Sequence, residues 1–243
     1  MIHNRLIRIS LVGMACFAAS AEDAGNEPMV PLKIELPEPY YGGTPTSYWS
    51  SNLEEESFKP RPEFLAPAGT ANVAKGKLVT SSDKSPLIGS IAQITDGDKA
   101  YGKNSLVELN EGLQWVQIDL EKSHEIFAVL VWHFHEGKRV YFDLVVLVSD
   151  DPTFKTGVQT VYNNDVDNSA GLGAGPDKEY VESYRGRLID AKGVKGRYVR
   201  LYTQGNSDSN LNHYVEVEVW GRRPDLVPIK IEVPEPFVGG VPL

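Results

Sequence analysis

The sequence predicts an all-β protein, one sandwich of short strands with extended arms at both ends. Three observations carry this. Strand-favouring residues gather in short runs, turn residues separate those runs, and few stretches show the apolar period of a helix. The 22 Gly and 16 Pro among 243 residues fit such a turn-rich β domain. Strands are predicted over residues 76–80, 113–120, 125–134, 140–149, 159–162, 198–203 and 214–220. Turns fall at Asp96-Gly97, Asn110-Glu111-Gly112, Asp150-Asp151-Pro152 and residues 193–196. One helical turn is predicted at 189–192.

Alternation assigns the faces, because neighbouring side chains on a strand point opposite ways. Val199 and Leu201 share one face, and Tyr198, Arg200 and Tyr202 the other. Val215, Val217 and Val219 point inward if Glu216 and Glu218 point out. Residues 132–152 read as a hairpin whose turn is Glu136-Gly137-Lys138-Arg139. On its first strand His133 and His135 share one face, Trp132 and Phe134 the other.

The ends differ from the middle. Residues 1–21 read as a secretory signal, with Arg5 and Arg8 before an apolar run and Ala19-Ser20-Ala21 as a cleavage site. Secretion or delivery to the periplasm is therefore expected, and no apolar run is long enough to span a bilayer. Cys16, the only cysteine, offers lipid attachment as the alternative. Cleavage after Ala21 would leave a chain without disulfides. It would also leave 22 basic against 33 acidic residues, which disfavours nucleic acid as a partner.

Residues 22–64 form a proline-rich acidic arm, 65–222 the sandwich and 223–243 a second arm. Both arms carry one repeat. Residues 30–45, VPLKIELPEPYYGGTP, return as 227–242, VPIKIEVPEPFVGGVP, with eleven of sixteen positions identical. Polar and apolar residues alternate between prolines, as suits a short edge strand. Such arms either pack on the body or mediate self-association of a structural protein.

Four motifs identify the body. Ile94-Thr95-Asp96-Gly97-Asp98, Trp115-Val116-Gln117-Ile118-Asp119-Leu120, Gly196-Arg197-Tyr198-Val199-Arg200-Leu201 and Val215-Glu216-Val217-Glu218-Val219-Trp220-Gly221 occur in this order. Together, over residues 72–221, they resemble the coagulation factor 5/8 type C (discoidin) domain. That family belongs to the galactose-binding-like β-sandwiches and includes bacterial carbohydrate-binding modules. The resemblance implies a jelly roll that binds glycan, or another cell-envelope component, through loops at one end. It also implies a structural Ca²⁺ held by Asp96, the carbonyl of Asp98 and Glu216, although Tyr101 stands where the family has Thr.

The residues themselves offer a site at the hairpin tip. His133, His135, Glu136, Lys138 and Arg139 supply polar groups, with Tyr141 as a plate for a sugar ring. The long loop 163–178 adds Asn164, Asp165 and Asp167, and loops of that length in compact domains often bind. The same residues read equally as a salt-bridged tip beside a solvated loop. His133-x-His135 would need a third ligand to hold a transition metal. The mature chain has no cysteine nucleophile and no Gly-x-Ser-x-Gly elbow, so a non-catalytic binding module is expected.

Overall fold

The computed structural model describes residues 27–40 and 47–224. The predicted signal segment 1–21, residues 41–45 of the first repeat copy and the whole second copy lie outside the described residues. The described residues contain eleven strands and one 3-10 helix, Ile91–Thr95. The all-β architecture is the one predicted.

Two long strands organise the body, β6 (Gln114–Trp132) and β9 (Arg187–Thr203), paired antiparallel from end to end. The pairing is interrupted between Asp119 and His124, and this break divides each strand into two halves. The first half of β6 takes β4 (Leu78–Ser81) on its free edge. The facing half of β9 continues to β7 (Val145–Ser149) and β8 (Gln159–Asn163). The second half of β6 takes β11 (Glu216–Arg222), which pairs in turn with β3 (Ala71–Asn72). Val116, Ile118, Val146 and Val199 from one half meet Val129, Val131, Val217 and Val219 from the other in a single core. One hydrogen-bonded sheet thus bends over itself to make the sandwich, and β5 (Val107–Leu109) with β10 (Asn212–Tyr214) forms a small second ladder.

The outer face of the second half is also covered. Ala128, Leu130 and Trp132 on β6 form a second apolar cluster with Val215, and Leu32, Ile34, Phe64 and Trp220 pack against it. Leu32 and Ile34 come from the first repeat copy. Its strand β1 (Met29–Pro31) pairs antiparallel with β2 (Leu65–Pro67), and the Leu32 amide donates to the Phe64 carbonyl at 2.9 Å.

Four expectations are corrected. Residues 132–152 are not a hairpin: β6 ends at Trp132, and its partners are β4, β9 and β11 rather than β7. The predicted strands at 113–120 and 125–134 are one strand. Residues 189–192 lie within β9, not in a helical turn. Glu216 and Glu218 do not point to solvent, because the face of β11 that carries them lies under the arm and the 96–105 loop and both are buried.

Candidate functional site

The chain leaves β6 at Trp132 into a loop that carries the predicted tip. Trp132 is fixed by its indole, which donates to the Tyr184 carbonyl at 2.9 Å. Its ring presses on Gly186, where a Cβ would lie 2.6 Å from the ring and φ is +61°. This contact sets residues 180–188 beside the tip.

The tip residues separate by depth. His133 and Tyr141 are fully buried and stacked, with ring centroids 4.2 Å apart. His133 Nδ1 lies 3.0 Å from Glu182 Oε2, and the Tyr141 hydroxyl lies 2.9 Å from His213 Nδ1. Burial lowers the His213 pKa to about 4, helped by the nearby Arg139 charge. Burial likewise raises the Tyr141 hydroxyl well above its ordinary value. Neither His133 nor Tyr141 can meet a ligand, because both rings belong to the packed interior. His135 is buried as well and faces the Lys99 carbonyl through Nε2 at 3.1 Å; burial lowers its pKa. Among the described residues no group of three metal-ligating side chains includes His133 or His135.

Arg139 lies on the Tyr141 and His213 side of the tip. It pairs with Asp208 at 2.9 Å and lies over the Phe134 ring. Glu136 is half-buried at the tip. The loop residues hold backbone amides of the loop and of Leu144. Asn164 accepts from the Leu144 amide, and Asp165 accepts from the amides of Ser169 and Ala170. Asn164 and Asp165 are buried, and Asp167 is exposed. Asp165 and Asp167 meet Asp143, a residue the sequence did not single out, with carboxylate oxygens within 4.8 Å of one another. Burial, then the charges of Asp165 and Asp167, raises the Asp143 pKa.

Of the predicted tip, His135, Gly137 and Lys138 line the main cavity, which has a volume of about 600 Å³. One wall is residues 180–188. The other is residues 54–62 of the N-terminal arm, which are not among the residues expected to bind. Tyr40, Phe58 and Tyr184 supply rings, and Arg61, Arg185 and Arg187 supply guanidinium groups. The arm is held there by polar contacts. Arg185 donates to the carbonyls of Ser57, Phe58 and Lys59, and Arg61 to those of Arg185 and Gly186. Arg187 pairs with Glu54, and Lys138 with Glu56, both at 2.6 Å. Burial lowers the Arg61 pKa, and the charges of Arg185 and Arg187 add to the effect. Phe58 is 77% exposed and Trp49 82% exposed, the two most open aromatic side chains of the described residues. Their unpatterned occurrence in a polar, proline-rich stretch was the available sequence signal.

The predicted cation loop is partly assembled. The Ile91–Thr95 helix delivers Asp96 beside β11, and the Gly97 amide donates to Glu216 Oε2 at 3.1 Å. Glu216 Oε1 is buried without a hydrogen-bond partner, and burial raises the pKa to about 8. The Asp98 carboxylate is engaged by the Ala100 amide and the Ser105 hydroxyl, which leaves its carbonyl as the available ligand. A buried carboxylate oxygen without a partner is what a cation here would satisfy, so the donor set fits Ca²⁺.

No family model matches the chain, and no curated protein matches it. Solved structures do. A family 89 glycoside hydrolase from Clostridium perfringens is 17% identical over 66% of this chain, with a TM-score of 0.46; the match spans 16% of that enzyme. A fucose binding module from Streptococcus pneumoniae is 20% identical, with 61% of this chain and 96% of that one covered and a TM-score of 0.42. A fucolectin from striped bass (Morone saxatilis) serum is 17% identical, with 64% and 50% covered and a TM-score of 0.44. At these scores the likeness is one of fold, and the site rests on its own residues.

Proposed function

We propose that the chain is an exported, non-catalytic binding module that takes a carbohydrate, or another cell-envelope ligand, at the loop end of its sandwich. The cavity between residues 54–62 and 180–188 carries this reading. It combines ring faces, which suit the C–H face of a sugar, with arginine and glutamate groups held in place, which suit its hydroxyls. A binding role needs no more than this, and no pair of carboxylates is needed as acid and base. The site thus moves from the tip of residues 136–139 to the cavity beside it.

A glycan array tests the reading, with fucosylated and N-acetylglucosamine-terminated glycans among the probes. Wild type should give a sugar-dependent signal. Phe58→Ala and Lys138→Ala should each weaken it by about tenfold, the effect of losing one well-placed contact. Arg139→Ala should leave it unchanged, because Arg139 lies outside the cavity. Absence of signal for wild type, or equal signals for all four proteins, would sink the proposal.

We also propose that Ca²⁺ is held by Asp96, the Asp98 carbonyl and Glu216, as a structural ion. Without the ion, the Glu216 pKa of about 8 in the folded state exceeds its ordinary value of 4.5. Folding then favours the protonated acid, and the contribution present below pH 4.5 is lost as the pH rises through about 8. Bound Ca²⁺ favours the carboxylate and reverses the trend. Thermal melts in chelator should show falling stability between pH 5 and 8, and melts in Ca²⁺ rising stability. Identical profiles in the two media would remove the ion from the account.

A further inference from the structure

We propose that the surface holding the first repeat copy is a receptor for this motif, and that its second occupant is the C-terminal copy, residues 227–242 of the same sequence. This inference is independent of the glycan reading.

The first copy shows what the receptor requires. Backbone pairing sets the entry, with Val30 opposite Ala66 and the Ala68 amide donating to the Pro28 carbonyl at 2.9 Å. Leu32 and Ile34 then lie on the outer cluster of Ala128, Leu130 and Trp132, while Lys33 and Glu35, which alternate with them, face solvent. Lys99 donates to the Glu35 carbonyl at 2.7 Å, and Tyr40 stacks on Tyr101 with centroids 4.4 Å apart. The requirement is thus a main chain, two branched apolar residues two apart, and an aromatic ring six residues further on.

The second copy meets it at each point. Ile229 and Ile231 correspond to Leu32 and Ile34, and Phe237 corresponds to Tyr40. Pro31 and Pro37 return as Pro228 and Pro234, so the points where the chain cannot donate a backbone hydrogen bond are also kept. The change from Leu36 to Val233 falls where the first copy is exposed. At the docking positions the substitutions keep the residue class, with Ile229 for Leu32 and Phe237 for Tyr40.

Reach is also met. Arg222, the last residue of β11, donates through Nη1 to Glu27 Oε1 at 2.8 Å. The end of β11 and the start of the first arm therefore share one corner of the body. Val30 lies three residues beyond Glu27, and Val227 five beyond Arg222. Five extended residues span up to about 17 Å, enough to bring the second copy to the same entrance. With two copies and one such receptor among the described residues, one copy is surplus and can serve a receptor on another molecule.

Disulfide trapping in the full chain, with Cys16→Ser, tests this. Leu32→Cys with Phe64→Cys is the control, since neighbouring strand positions meet the geometry of a disulfide. Ile229→Cys with Phe64→Cys is the test. Oxidation should cross-link the test pair, as a monomer or a dimer band, and the yield should rise several-fold when Leu32→Asp and Ile34→Asp release the first copy. A labelled peptide of residues 227–243 should also bind the chain carrying Asp at 32, 34, 229 and 231, and bind wild type at least about tenfold more weakly because the tethered copies compete. Cross-linking of the control alone, with no binding of the peptide, would overturn the proposal. The trapping arm does not depend on the fourfold variant folding.

Discussion

The two described parts of the N-terminal arm attach to the same body by opposite means. Residues 29–36 add a strand and place Leu32 and Ile34 on an apolar cluster. Residues 48–61 are held by Tyr48 on Glu179, by ion pairs from Glu54 and Glu56, and by arginine-to-carbonyl bonds. Apolar burial is strong and insensitive to salt. Partly exposed ion pairs contribute little each, and ions screen them. The first part is therefore a fixed cover over the sheet. The second is an adjustable wall, and the cavity lies behind the adjustable one.

The change expected to disturb both parts most is Gly186→Val. Its backbone lies in the left-handed region, a Cβ would meet the Trp132 ring, and its carbonyl accepts from Arg61. Strain and a displaced core ring together should cost about 3 kcal/mol or more. Urea unfolding should show a lower midpoint and loss of the arm's protection from protease at both parts. A midpoint within error of wild type would mean that Trp132 moves freely, against the packing described.

Next in size are two single changes that should separate the parts. Phe64→Ala removes a ring from the apolar cradle and should cost roughly 1–2 kcal/mol, since the ring is only half-buried. Arg185→Ala removes three bonds to arm carbonyls, yet should cost less than about 1 kcal/mol, since those carbonyls can return to water. Protease cutting within residues 54–62 should increase in Arg185→Ala and stay at the wild-type rate in Phe64→Ala. Equal cutting in both variants would mean that the arm behaves as one unit.

The same contrast explains what the sequence disclosed. The strands were legible because apolar alternation records burial: Val217 and Val219 alternate with glutamates, and both valines are in the core. The alternation failed for Glu216 and Glu218, because it assumes one wet face and the arm and the 96–105 loop cover both. The hairpin expected at residues 132–152 does not form because proximity in sequence does not set pairing, and the partners of β6 are β4, β9 and β11. The tip residues were identified by type, but depth is a tertiary property. Nothing local distinguishes buried His133 from half-buried Lys138. The cavity was illegible for a related reason. Its walls are joined by side chains that reach backbone carbonyls 124 or more residues away in the chain, which leave no pattern in sequence.

The smallest effect expected is also the one that reads the contrast most directly, because two backbone amides report on the two parts. The Leu32 amide donates to Phe64 and the Glu54 amide to Glu179, each at 2.9 Å. Raising salt from about 0.05 M to about 0.5 M shortens the screening length from roughly 14 Å to roughly 4 Å. That weakens the pairs of Lys138 with Glu56 and Arg187 with Glu54, whose side chains are partly exposed. At a few tenths of a kcal/mol per pair, opening of residues 48–61 should become roughly two- to fivefold more frequent. Native-state hydrogen exchange should therefore quicken at the Glu54 amide by that factor. The Leu32 amide should keep its rate or slow, because salt does not weaken apolar burial. Equal acceleration at both amides would show that the polar wall and the apolar cover open together, and that the cavity cannot widen without uncovering the sheet.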